Sequence, residues 1–219
     1  MKGKVRLLIA DDHELVRQGL RGVLAARRDW EICAEAVTGR EAVAKAEQCR
    51  PDVAILDFSM PELNGLEAGR QIRRARPQTE VLILTMHESE GLIREVLAAG
   101  VRGFVLKTDA SKVLIQAIET LLRHRPFFTA TVSEVVLDGY LNPEKAEAGQ
   151  EAAASRLSPR EREVVQLIAE GKSTKELADA LGISPKTAET HRTNLMRKLN
   201  LRSVSEVVRY AIRNKLVEP

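Results

Sequence analysis

The chain has 219 residues, 44% apolar and 30% charged, with a formal net charge of +3. That size suits one large domain or two small ones, and the composition is that of an ordinary globular protein. No apolar stretch approaches the roughly 18 residues of a membrane span, and the opening MKGKVRLLIADD meets acid before a signal-peptide core develops; a cytoplasmic protein is expected.

Five short apolar runs follow in order: VRLLIA (5–10), EICAEA (31–36), DVAILD (52–57), EVLILT (80–85) and RGFVLK (102–107). The first, third and fourth are nearly continuous and aliphatic, as strands covered on both faces are. Segments with helical spacing lie between them. Leu15, Gly19, Leu20, Val23 and Leu24 share one face of the first. Leu92, Val96 and Leu97 do so in the fourth, and Val113, Ala117, Ile118 and Leu121 in the fifth. Strand and helix repeated five times predict a parallel sheet with right-handed crossovers. Cys33 and Cys49 lack metal spacing and are expected to be free, buried thiols.

The strand ends carry the chemistry. The first ends on Asp11-Asp12, the third on Asp57, the fourth on Thr85 and the fifth on Lys107. Open parallel sheets bind ligands beyond these carboxyl ends. Clustered carboxylates repel unless a cation neutralises them, and hard oxygen ligands suit Mg2+. A single acidic strand end is most often a solvated loop; five polar residues at the correct ends are not. A carboxylate on a rigid buried strand can act as a nucleophile toward phosphorus. Mg2+ on Asp11, Asp12, Asp57 and the backbone carbonyl of Ser59 would neutralise the phosphoryl group, with Lys107 on a further oxygen. Met60-Pro61 and Gly65 would fix the intervening turn.

On these residues, 5–122 resemble the receiver domain of bacterial response regulators. The resemblance implies a (βα)5 doubly wound sheet of order 2-1-3-4-5. It also implies phosphoryl transfer from a sensor histidine kinase to Asp57, with Thr85 drawn toward the phosphoryl group and Phe104 turning into the space vacated. Ser59 and His87 occupy positions that tune phosphoryl lifetime in that family. Enzyme readings fare worse. A dinucleotide-binding fold needs GxGxxG after the first strand, where this chain has ADDHELVRQG. A small-molecule phosphatase of the haloacid-dehalogenase kind wants Asp at position 59, which is Ser. His13 reads as a solvated residue near a helix start rather than a general base.

From 124 the pattern dissolves. FFTATVSEVVLDGYL (127–141) is expected to form a short helix, and NPEKAEAGQEAAASR (142–156) a linker with nothing to bury, so that 123–155 connects two domains. Charge divides the same way. Residues 1–123 hold 19 basic and 18 acidic side chains, 124–155 hold 2 and 5, and 156–219 hold 13 and 8. A basic tail suggests a polyanionic partner.

Ser-x-x-Glu recurs at Ser158, Ser173 and Ser203, a capping-box pattern at three helix starts, and Ser184-Pro185 marks a fourth. The expected helices are 159–170, 174–181, 185–199 and 204–214. The second and third are joined by LGIS, a helix-turn-helix spacing at about 173–192. The third reads SPKTAETHRTNLMRKLN, apolar at Ala188, Leu195 and Leu199 and basic and Thr-rich elsewhere. Such a face fits the major groove.

Residues 156–219 resemble the LuxR-type helix-turn-helix domain, and the two halves together a NarL/FixJ-type response regulator. The resemblance implies that Glu189, Thr190 and Thr193 read bases, and that Lys175, Lys186, Arg192, Arg197 and Lys198 touch phosphates. The last helix, with Val204, Val207, Val208 and Ala211, would dimerise on two-fold promoter DNA. The reading is a phosphorylation-switched transcription factor, not a turnover enzyme, whose unmodified receiver masks the recognition helix or dimer surface. The rivals are a DNA-binding regulator that ignores phosphorylation and a phosphatase using Asp57.

Overall fold

Strands that are aliphatic on both faces need cover on both sides, and the chain supplies it. The computed structural model describes residues 4–86, 90–129, 132, 134, 157–214 and 216–217. Strands β1 (Val5–Ala10), β2 (Trp30–Ala36), β3 (Val53–Asp57), β4 (Glu80–Thr85) and β5 (Gly103–Leu106) pair in parallel, in the order β2-β1-β3-β4-β5. Helices α1 (Glu14–Leu24), α2 (Gly39–Cys49), α3 (Gly65–Ala75), α4 (Glu90–Ala98) and α5 (Ala110–Leu121) connect them.

Alternation along the strands divides the core in two. Leu8, Ala10, Ala54, Leu56, Val81, Ile83 and Phe104 pack toward α2, α3 and α4. Leu7, Ile9, Val53, Ile55, Leu82, Leu84 and Val105 pack toward α1 and α5. Three details depart from expectation. A sixth strand, β6 (Phe127–Phe128), adds in parallel beside β5, where a helix start was predicted. In α1 the buried positions are Arg17, Leu20 and Leu24, while Leu15 is 80% exposed and its neighbour Val16 packs against the core instead. The two cysteines are free, but half-buried rather than buried, with their sulfurs 2.9 Å apart.

The second unit comprises α6 (Pro159–Ala169), α7 (Thr174–Leu181), α8 (Pro185–Lys198) and α9 (Val204–Arg213). Ser158 and Ser173 form complete capping boxes with Glu161 and Glu176. Ser203 caps Glu206, but the Glu206 carboxylate reaches one residue further back, to the Arg202 amide at 2.6 Å, so the third box is not reciprocal. Gly182, at φ +64°, ends α7 in the left-handed conformation that a tight turn into α8 requires. Val164, Val165, Leu167, Ile168, Leu177, Ala188, Leu195, Val207 and Ala211 form this unit's own core. Residues 142–156, expected to be a linker, lie outside the described residues, as does His87.

Candidate functional site

Parallel strands carry their carboxyl ends to one rim, and the predicted residues meet there. Lys107 Nζ stands 2.8 Å from Asp11 Oδ2 and 2.9 Å from Asp57 Oδ1. Asp57 Oδ2 is buried without a hydrogen-bond partner. Asp12 is exposed, and its carboxylate lies 2.8 Å from His13 Nδ1. Asp11, Asp12, His13 and Asp57 offer ligand atoms all within 4.8 Å of one another. A buried, unpartnered carboxylate oxygen among further carboxylates is an arrangement that a divalent cation satisfies.

Electrostatics agree. Burial pushes the Asp57 carboxyl up to about 6; Lys107 works against that rise, and Asp11 and Asp12 add to it. Burial alone would lower the Lys107 pKa, but hydrogen bonds and charge from Asp11 and Asp57 hold it above its ordinary value. Thr85 is buried at the end of β4, and its carbonyl accepts the Lys107 amide at 2.8 Å. Phe104 is wholly buried, inside the core on the α2–α4 side. Arg17, not singled out from the sequence, is buried in α1 and donates to the Asp11 carbonyl at 2.8 Å. A lone Arg on an amphipathic helix carries no signal of such a role.

The turn after Asp57 is held tightly. A side chain at Gly65 would collide with the Asp57 carbonyl, so only glycine lets α3 start this close to β3. The Gly65 amide donates to the Phe58 carbonyl at 2.9 Å, and Asn64 caps α3 through the Glu67 amide. Glu62 sits at φ +66°. Ser59 is half-buried beside Asp12, on the wall of a cavity of about 220 Å³. On the opposite side the rim opens toward an apolar groove of about 410 Å³ between α1 and the start of α5.

Comparison with known proteins decides the family. Residues 7–119 match the response regulator receiver domain, and residues 155–211 match the bacterial regulatory proteins of the luxR family. The chain is a two-component response regulator with a LuxR-type DNA-binding domain. Curated relatives include the oxygen regulatory protein NreC of Staphylococcus epidermidis, 38% identical over 98% of this chain and all of the relative. NreC of Staphylococcus carnosus is likewise 38% identical over the same shares. Among solved structures, the RcsB response regulator of Salmonella typhimurium is 28% identical, covers 97% of this chain and 99% of its own, and has a TM-score of 0.64. An RcsB–DNA complex is 27% identical, with the same coverage and a TM-score of 0.58. Among the described residues of this regulator, no helix is long and apolar enough to cross a membrane.

In the regulator's DNA-binding unit, α8 presents Lys186, Glu189, Thr190, Thr193, Arg197 and Lys198 to solvent, with Arg192 half-buried and Lys175 exposed on α7. Several of these have local partners. Glu189 accepts from Thr174 Oγ1 at 2.9 Å, the Thr190 hydroxyl turns back to the Lys186 carbonyl, and Lys198 pairs with Glu161 at 2.7 Å. Of the residues expected at a dimer surface, Val207 and Ala211 are instead fully buried in the unit's own core. Val204 is exposed and Val208 half-buried. The short domain uses one side of α9 to close its own interior.

Of the two surfaces expected to be masked, the recognition helix keeps its outward residues exposed. Among the described residues, the receiver packs on α6. Arg162 reaches Glu67 at 2.6 Å, Gln71 donates to Glu163 at 2.9 Å, and Arg40 lies 3.3 Å from the same carboxylate. Gln166, 2% exposed, donates to the Met60 carbonyl at 2.8 Å and accepts from the Asn64 amide at 2.9 Å. The Glu62 amide donates to the Glu170 carboxylate at 3.0 Å.

Proposed function

We propose that this response regulator takes a phosphoryl group on Asp57 from the phosphohistidine of a sensor kinase and thereby controls its dimerisation and its binding to promoter DNA. The observation that carries the reading is Asp57 Oδ2, buried and without a hydrogen-bond partner, while Oδ1 is held by Lys107. The free oxygen attacks phosphorus, the phosphorus–nitrogen bond breaks, and the imidazole leaves with the electron pair. Asp11, Asp12, Asp57 and the Ser59 carbonyl would hold Mg2+, which would supply charge neutralisation at the phosphoryl oxygens. Lys107 is already placed beside the nucleophile to meet one of those oxygens as a point charge. Thr85 and Phe104 are the groups through which the receiver changes state, Thr85 at the rim and Phe104 in the core behind it.

On the DNA side, Glu189, Thr190 and Thr193 face outward to read bases, while Lys175, Lys186, Arg192 and Arg197 meet phosphates. Lys198, tied to Glu161, contributes to phosphate binding only on breaking that pair. Val204 and Val208 form the exposed part of the dimer face. Incubation with acetyl phosphate and Mg2+ is expected to add about 80 Da, one phosphoryl group, as read by intact mass. The adduct is expected to be absent from Asp57→Asn. Its absence from the wild-type protein would leave a DNA-binding regulator that ignores phosphorylation.

A further inference from the structure

Cys33 and Cys49 are the two cysteines of the chain, and neither takes part in the chemistry at Asp57. They come from different elements. Cys33 lies in the middle of β2, the edge strand of the sheet, and Cys49 is the last residue of α2. The pairing of β1 with β2 explains why they meet. Leu7 pairs with Ile32 and Leu8 with Ala34, so Cys33 is an extra residue without a partner in β1. Such a bulge re-aims side chains. Before it, Trp30 and Ile32 pack toward α1 and α5. After it, Ala34 and Ala36 pack toward α2. An unbroken strand would have put Ile32 and Ala34 on one face. Cys33 stands where the strand changes face, and its Sγ lies 2.9 Å from Cys49 Sγ.

Cys49 is fixed independently. Arg50 ends α2 at φ +48°, with its amide on the Ala46 carbonyl. Arg6 Nε donates to the Cys49 carbonyl at 3.0 Å, and Arg6 Nη1 donates to the Glu31 carboxylate at 2.7 Å. One arginine thus ties the end of α2 to the strand that carries Cys33. Both thiols are half-buried, within reach of a small oxidant. Burial, above all, pushes the Cys33 thiol up to about 12, with the hydrogen bond and charge of Cys49 adding to the rise. Thiolate is the reactive form, so the pair is a slow reactant and not a catalytic one.

We propose that Cys33 and Cys49 form a modification site: a hydroperoxide oxidises them to a disulfide that staples the bulge of β2 to the end of α2. One thiol attacks a peroxide oxygen, the oxygen–oxygen bond breaks and water leaves, giving a sulfenic acid. The second sulfur attacks the first, the sulfur–sulfur bond forms, and the sulfenic oxygen leaves as a second water. Two thiols lose two electrons and two protons, and one hydrogen peroxide is reduced to two waters. A disulfide holds its sulfurs about 2 Å apart, so closure needs only a small movement of side chains. With no third cysteine in the chain, exchange has no competing partner within it. A dithiol reductant reverses the bond. Closed, it joins positions 16 residues apart and restricts the unfolded chain.

The test takes the full chain, reduced and then treated with excess hydrogen peroxide. Peptide mapping under non-reducing conditions is expected to find the peptides of Cys33 and Cys49 joined, with two hydrogens lost, and separate again after dithiothreitol. Cys33→Ser and Cys49→Ser are each expected to abolish the joined species. Oxidation is expected to raise the thermal midpoint of the α1–α5 unit by about 3 °C or more, and in neither variant. Mapping of the wild type needs no substitution, so a variant that folds poorly leaves the test intact. Cysteines that stay thiols in excess peroxide, or that pass to sulfinic acid without pairing, would overturn the proposal. So would pairing between copies, seen as a dimer on a non-reducing gel. A joined species whose midpoint fails to rise would overturn it too, because the native backbone would then have to distort to close the bond.

Discussion

Asp57 is expensive to keep ionised where it stands, and that cost is measurable. Its folded pKa of about 6 lies above the ordinary 3.8, chiefly through burial. The folded state therefore binds its proton more tightly than the unfolded chain does. The corresponding stability is fully present below about pH 3.8 and is lost as pH rises through about 6, at most about 3 kcal/mol for a shift of this size. Asn at position 57 removes the charge but also one of the two partners of Lys107, which keeps Asp11. Asp57→Asn is expected to gain about 1–2 kcal/mol in urea denaturation at about pH 7.5, with the gain shrinking toward about pH 4. A gain independent of pH would place the effect in packing. Mg2+ is expected to raise the midpoint of the wild type and not of the variant, since it binds the folded carboxylates.

The elements were legible in the sequence where local chemistry decides them. The aliphatic runs at 5–10 and 80–85 became strands with those bounds, and Ser158, Ser173 and Ser184 cap helices that start where predicted. Ser173 offers a direct measure: its hydroxyl accepts the Glu176 amide, while the Glu176 carboxylate returns to the Ser173 amide at 2.8 Å. Ser173→Ala is expected to cost about 1 kcal/mol in the unfolding of the α6–α9 unit, read by thermal melting, and to leave the α1–α5 unit unaffected. Illegible were features that only tertiary neighbours create. The two-residue β6 exists because β5 has a free edge beside Phe127. Val207 and Ala211 read equally well as core or interface, since both uses demand the same apolar face. Gln166 and Glu170 look like solvated residues on an amphipathic helix, and nothing within α6 announces that another domain buries Gln166. The acidic site was readable because its residues sit at strand ends, positions that the parallel topology brings together.

At the scale of the whole chain, the docked arrangement leaves α8 facing solvent while the receiver holds α6, so the unmodified regulator already presents its DNA-reading face. On the proposed reading, phosphorylation is then expected to act through pairing of copies rather than by uncovering this helix. A single half-site asks only for one α8 and the surrounding cations, whereas a two-fold site rewards a dimer. Affinity for a half-site duplex is expected to change less than about twofold on treatment with acetyl phosphate and Mg2+, while affinity for the two-fold site rises roughly tenfold or more, by effective concentration of the second domain. Fluorescence anisotropy at several salt concentrations checks both, because counterion release makes each cation visible: Lys186→Ala and Arg197→Ala should each flatten the salt slope by about 1 on either duplex. A large gain on the half-site itself would mean that phosphorylation alters α8 directly, and would return masking as the mechanism despite the exposure of this helix.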